Sequence, residues 1–281
     1  MKDKIVLITG GNAGIGFATA EALANKGAEL LIAARNEQKL NEAVQQLKTK
    51  TGNHKIRYYV ADFSSQKSVR NLAAQVRKEY DKIDVLINNA GGTFSEFKLT
   101  EDGLETTIAT NHFAYFLLTN LLLDLIKKSD YARIVNVASG SHYQGKIDFD
   151  SFKQNKGYFI MKAYAQSKLA NVLFTFELAE RLKDTNVTAN CLHPGMVNTD
   201  IGNKYGTWYS KLLWTLASHI GGISIEKGAE TSVYLASSDE VKGVTGKYFD
   251  KCKQKDAAAL ARDKQLQKEL WRVSEQLCPL D

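Results

Sequence analysis

Lys4-Ile-Val-Leu-Ile-Thr9 runs directly into Gly10-Gly-Asn-Ala-Gly14-Ile-Gly16, and an apolar helical pattern (Phe17, Ala20, Leu23, Ala24) follows. The first run is continuously apolar between polar ends and reads as a strand buried on both faces. The glycines then turn the chain into a helix. Gly10 permits the tight turn, Gly14 lets backbone approach a pyrophosphate, and Gly16 lets helix and strand pack closely. The helix start offers free N–H groups and the positive end of its dipole to an anion. A glycine pattern alone marks many ordinary turns. Between a strand and a helix it opens a dinucleotide-binding unit, and it nominates Gly10, Asn12, Gly14, Ile15 and Gly16 as cofactor contacts.

Outward from this unit, strands are expected at Glu29–Arg35, Lys55–Ala61, Ile83–Ile87, Arg133–Ser139, Val187–Leu192 and Lys247–Phe249. Helices are expected over 37–50, 65–79, 102–127, 160–183, 226–237 and 256–276. Strands alternating with helices predict an α/β, Rossmann-type three-layer sandwich with a seven-stranded doubly wound parallel sheet. The 281 residues are 44% hydrophobic and contain only two prolines, Pro194 and Pro279. That suits a single domain over 1–281 without linkers. Ligands of such sheets bind at the carboxyl ends of the strands, and Gly10, Asn88, Ser139 and His193 all follow strand ends.

Tyr164 and Lys168 stand at i and i+4 on one helix face. A phenol is a weak acid, with a free pKa of about 10, and a neighbouring ammonium favours its ionised form. A shift of about 3 units is worth roughly 4 kcal/mol. Carbonyl reduction needs such a proton donor, and alcohol oxidation needs the same group as a base. Tyr158 and Lys162 repeat the spacing, so spacing alone does not choose. The small residues of Tyr164-Ala-Gln-Ser-Lys168-Leu-Ala-Asn171 suit a helix packed against a cofactor, and we take Tyr164 and Lys168 as the pair.

The order of motifs resembles the short-chain dehydrogenase/reductase family along most of the chain. Thr9-Gly-x3-Gly-x-Gly16 has its glycine spacing, and Ala13 argues against the extended, nucleotide-sugar branch. Asn88-Asn-Ala-Gly91, Asn111, Ser139, Tyr164-x3-Lys168 and His193-Pro-Gly195 with Thr199 follow in family order. The resemblance implies hydride transfer between nicotinamide and a carbonyl or alcohol carbon. It makes Tyr164 the acid, gives Ser139 the developing alkoxide, Lys168 the nicotinamide ribose, and Asn111 a proton-supplying water. It adds Asn89, Ala90, Gly91, Pro194, Gly195, Val197 and Thr199 to the cofactor contacts. Asp62, followed by Phe63, matches the acid that contacts adenine; capping the next helix is an equal alternative. At the end of the second strand, Ala34 stands where NAD-preferring relatives carry Asp, and Arg35 offers a fork of donors to a 2′-phosphate. This favours NADP(H) over NAD(H), a surface residue opening the next helix being the alternative for Arg35; Asn36 could assist either cofactor.

Finer resemblance points to the retinol dehydrogenase branch, hence to a lipophilic, retinal-like aldehyde, ketone or alcohol. The gap between Ser139 and Tyr164 exceeds the family's common spacing. We read 143–160 as an insertion on the substrate side; a surface loop packing its own aromatics is the alternative. His142 reads as a solvated loop histidine, with a substrate contact as the alternative, and His193 as a residue that shapes its loop. Segment 199–225 carries Trp208, Tyr209, Leu212, Leu213, Trp214, Leu216 and Ile220 and reads as an apolar substrate lid, with an oligomer contact or core packing as alternatives. A carbonyl reductase for another small alcohol or ketone remains a second reading. A non-catalytic dinucleotide-binding regulator is a third, weakened by the complete set Asn111, Ser139, Tyr164 and Lys168.

Three widely spaced cysteines, Cys191, Cys252 and Cys278, have no metal-ligand spacing and fit a reducing compartment. The apolar stretch Tyr115–Ile126 is broken by polar residues and too short to span a bilayer. A cytoplasmic protein without membrane anchor is expected. The net charge of +6 is spread along the chain, which suits a solvated surface rather than nucleic-acid binding. A homodimer or homotetramer is a family-based expectation.

Overall fold

The computed structural model describes residues 1–195 and 223–280. Its centre is a sheet of eight strands in the order β3-β2-β1-β4-β5-β6-β7-β8. The strands are β1 (Ile5–Thr9), β2 (Glu29–Ala34), β3 (Ile56–Val60), β4 (Val85–Asn88), β5 (Ala132–Val137), β6 (Val187–His193), β7 (Tyr248–Asp250) and β8 (Lys253–Lys255). The first seven run parallel, and β8 returns antiparallel along β7. The expected sheet of seven strands thus gains an eighth. Lys251 and Cys252 both take positive φ, 51° and 58°, and this two-residue turn folds Lys253–Lys255 back as an edge strand. All three residues of β8 are exposed, so it has no apolar alternation to announce it. Its lysines guard the sheet edge against further pairing.

Helices cover both faces because every β1 and β2 interior residue is apolar and buried. On one face lie α1 (Gly14–Asn25), α2 (Glu37–Thr51) and α8 (Ile225–Ser237), contributing Leu23, Leu40 and Leu235 to the core. The other face carries α3 (Gln66–Glu79), the short α4 (Thr106–Ile108), α5 (Ala114–Leu121), α6 (Leu123–Lys127), α7 (Ile160–Arg181) and α9 (Lys264–Leu277). Trp271 of α9 stacks on Phe174 of α7 at 5.8 Å and meets Phe116 of α5 edge-on at 5.1 Å. The Arg181 guanidinium covers the same indole at 4.1 Å.

Two helices expected as continuous are interrupted. The run expected over 102–127 contains a π-helical turn, Ala109–Phe113, and a second break at Leu122. The run expected over 256–276 opens with a 3-10 turn, Ala259–Arg262, before Asp263 caps α9 through the N–H groups of Gln265 and Leu266. Among the described residues no helix is long and apolar enough to cross a membrane. The segment 199–225 expected as a lid, with its tryptophans, lies almost entirely outside the described residues.

Candidate active site

The turn after β1 is stitched to the turn after β4. Thr9 Oγ1 accepts hydrogen bonds from the N–H groups of Asn89 and Ala90 at 2.8 and 2.9 Å, and Asn89 Nδ2 donates to the Thr9 carbonyl at 2.8 Å. Gly10 holds φ +69°, and a Cβ there would stand 2.9 Å from Asn89 Nδ2. Gly16 is tighter still, since its Cβ would stand 2.2 Å from the Gly10 carbonyl oxygen. Only glycine lets α1 start this close to the loop, with Gly14 and Ile15 opening its first turn. The result is a cradle of backbone at a helix N-terminus, fit for a pyrophosphate.

A cavity of about 740 Å³ extends from this cradle. Gly10, Asn12, Ala34, Arg35, Asp62, Phe63, Ala90 and Gly91 all line it. Its size and these walls fit a dinucleotide, with the adenosine end toward Arg35 and Asp62. No acid stands at the end of β2, where Ala34 is followed by Arg35.

Several expected contacts are committed elsewhere. Asn36 is not among the cavity walls; its Oδ1 accepts from Lys39 N at 2.9 Å and caps α2. Asp62 does not cap α3, which Ser65 does; Asp62 Oδ1 instead accepts from Ser64 N at 2.9 Å and Ser64 Oγ at 2.7 Å. Asn89 spends its amide on the stitch to Thr9. Pro194 and Gly195 follow β6, and Gly195 takes φ +87°. Val197 and Thr199 lie outside the described residues.

Gly91 links the cavity to the reacting groups. A Cβ there would lie 2.9 Å from Asn111 Oδ1 and 3.6 Å from Lys168 Nζ. Asn111 sits in the π-helical turn, fully buried, where such turns often mark functional positions. Its carboxamide accepts from Gly92 N at 2.8 Å and donates to Gly92 O and Ser167 Oγ, both at 2.9 Å. Ser167 Oγ in turn donates to the Tyr164 carbonyl at 2.8 Å. Asn111 thereby ties the β4 loop to α7, and Thr9, Gly92 and Ser167 emerge as supports that sequence reading missed. Thr9 carried a signal, as a polar residue closing a buried apolar run.

Lys168 Nζ donates to the Val137 carbonyl at 2.9 Å and lies 5.7 Å from the centre of the Tyr164 ring. Burial pushes its ammonium down to about 7. Burial raises the Tyr164 phenol, and a hydrogen bond with Ser139 opposes that rise. The sequence reading expects Lys168 to acidify Tyr164. In this structure desolvation dominates both groups, because neither faces bulk water freely. Ser139 follows β5 and caps a 3-10 turn, its Oγ accepting from Ser141 N at 3.2 Å. Asn111, Ser139, Tyr164 and Lys168 therefore come from three different segments: Asn111 and Lys168 flank Gly91, and Tyr164 links Lys168 to Ser139.

The alternative pair is accounted for. Tyr158 precedes α7 and donates to the Phe94 carbonyl at 2.7 Å, while Lys162 is exposed. In 143–160, Phe152 is fully buried against Phe113, whereas Phe159 and Tyr143 are exposed. His142 is not solvated as expected: it is wholly buried. His193 does shape a loop, accepting from Gly140 N through Nδ1 at 3.1 Å.

A profile of the short chain dehydrogenase family matches residues 4–210. Human retinol dehydrogenase 13 is 41% identical over 287 residues, spanning 99% of this chain and 85% of its own length. Mouse retinol dehydrogenase 12 is 41% identical, spanning 96% of this chain and 85% of its own length. Among solved structures, an uncharacterized protein from Mycobacterium Paratuberculosis superposes with a TM-score of 0.80 at 31% identity, covering 99% of this chain and 94% of that one.

Proposed function

This chain belongs to the short-chain dehydrogenase family and is an NAD(P)-dependent alcohol dehydrogenase or carbonyl reductase, and from that premise we propose that it is an NADP-dependent reductase of lipophilic, retinal-like aldehydes and ketones. The observation that carries the reading is the linked group Asn111, Lys168, Tyr164 and Ser139, which reaches the dinucleotide cavity at Gly91. When bound, the nicotinamide supplies the hydride. Tyr164 gives its proton to the substrate oxygen, and Ser139 donates a hydrogen bond to the same oxygen as charge develops there. Lys168 holds the ribose hydroxyls and, when charged, strengthens Tyr164 as an acid. Asn111 fixes the β4 loop against α7 and serves proton resupply behind Lys168.

Arg35 on the cavity wall, with no acid at the end of β2, supports NADP over NAD. The names of the retinol dehydrogenase relatives support a lipophilic substrate. So do exposed Phe159 and Met161 at the start of α7, one to two turns before Tyr164. The sequence pattern alone proposes 199–225 as an apolar lid and 143–160 as a substrate-side insertion. The test is NADPH oxidation with all-trans-retinal and medium-chain aldehydes, comparing wild type with Tyr164→Phe. Turnover lost in the variant, at unchanged NADPH affinity, is expected. Tight NADPH binding without turnover on any aldehyde or ketone overturns the reading.

A further inference from the structure

The peptide unit joining Ser139 to Gly140 is gripped from both sides by imidazoles. His142 Nδ1 lies 2.7 Å from the Ser139 carbonyl, and the Gly140 N–H donates to His193 Nδ1 at 3.1 Å. A carbonyl only accepts, so His142 carries its proton on Nδ1. Its bare Nε2 then accepts from the Ala258 N–H at 3.1 Å. The next residue repeats the tie, with the Tyr143 hydroxyl donating to the Asp256 carbonyl. His142 is wholly buried, its ring 4.1 Å from Tyr143 and 4.6 Å from Tyr248. The chain thus spends a buried, single-tautomer imidazole on joining the Ser139 turn to a segment more than a hundred residues away. A second such tie runs from His112, beside Asn111, to Ser274 of α9 at 3.0 Å.

We infer that His142 is a positioning residue for Ser139, and that the segment Asp256–Ala258 sets its position. The inference rests on the reductase reading for its kinetic consequence but not for its structural one. Rotation of the Ser139–Gly140 peptide swings the Ser139 hydroxyl away from the substrate oxygen, and a misplacement of about 1 Å can cost about a hundredfold in rate. The grip on the peptide therefore acts on kcat. The phosphate cradle at Gly10–Gly16 and the Arg35 wall are built from other segments, so NADPH affinity changes little.

Ala258→Pro isolates the tie. Ala258 has φ −49°, close to the angle proline imposes, and the proline Cδ takes the place of the N–H, so His142 Nε2 both loses its donor and is pushed off the segment. His142→Asn is its partner variant, because the Asn amide reproduces the reach of Nδ1 to Ser139 but not that of Nε2 to Ala258. Each single variant is expected to lower kcat about tenfold or more, with NADPH Kd and KM within about twofold. The double variant should lose no more than either single, since both cut the same link. Amide exchange measured by mass spectrometry over 139–145 should quicken in both. Full kcat with unchanged exchange in Ala258→Pro overturns the inference, as do kcat losses that add in the double variant. If the wild type turns over no substrate, faster exchange over 139–145 still supports the tie, and the reductase reading alone falls.

Discussion

Gly16→Ala is the sharpest perturbation of the cradle. The added Cβ would lie 2.2 Å from Gly10 O, 2.9 Å from Gly10 C and 2.6 Å from Asn89 Nδ2. Two of these three atoms are backbone of the turn itself, so no side-chain rotation relieves the contact. Reaching an ordinary separation of about 3.4 Å requires α1 and the turn to part by roughly 1 Å. Overpacking of this kind costs about 1–3 kcal/mol, and a backbone clash belongs at the upper end. Replacing Gly by Ala inside a helix returns about 1 kcal/mol. The net loss of about 2 kcal/mol corresponds to a Tm lower by roughly 4–8 °C in a chain of this size. The larger effect falls on the cofactor. Backbone N–H bonds to a charged phosphate are worth about 1.5–3 kcal/mol each, so displacing one raises the NADPH Kd by roughly ten- to a hundredfold. Fluorescence titration with NADPH and a thermal melt measure both. Gly92→Ala, whose Cβ would meet nothing within 4 Å, is the control for stability and should shift it by less than about 0.5 kcal/mol. NADPH binding by Gly16→Ala within threefold of wild type would refute the argument that this close approach forms the phosphate site.

Three further outcomes are expected. Arg35→Ala should weaken NADPH by about ten- to a hundredfold and leave NADH within threefold, because a charge-assisted fork to the 2′-phosphate is lost; parallel losses for both cofactors would remove Arg35 from that role. Tyr164→Phe should cut kcat by about a hundred- to ten-thousandfold, the usual worth of a general acid, while NADPH titration stays unchanged. Burial holds His112 neutral, down to about 3, and also lowers His142 and His193. Their folded pKa values lie below the unfolded value of about 6.5. Their stabilising effect is therefore whole above about 6.5 and is lost as pH falls below it, for His112 down to about 3. Melts of the purified protein between pH 7 and 4 should show this decline, and a His112→Gln variant should show a shallower one; equal slopes would place the acid sensitivity in other groups.

The Tyr164–Lys168 pair was visible in the sequence because four residues make one helical turn, whatever surrounds the helix. The glycine cradle was visible because its demands are local: φ +69° at Gly10 and the absence of a Cβ at Gly16 are properties of the turn. The alternation of apolar runs and amphipathic stretches likewise determined the layered α/β fold. Tertiary structure decided what depends on partners far along the chain. The β8 strand exists because Lys251 and Cys252 turn back on β7, and three exposed residues leave no apolar pattern to read. The π-helical turn at Asn111 lies in a stretch that is buried on nearly every side yet mixes polar Thr107, Asn111 and His112 with apolar residues, so periodicity passes over it. His142 looked like a loop residue, and it is buried because Tyr248 and Ala258, from the other end of the chain, close over it. Local backbone requirements are written residue by residue, whereas burial of a polar side chain is fixed only when distant segments supply its hydrogen-bond partners.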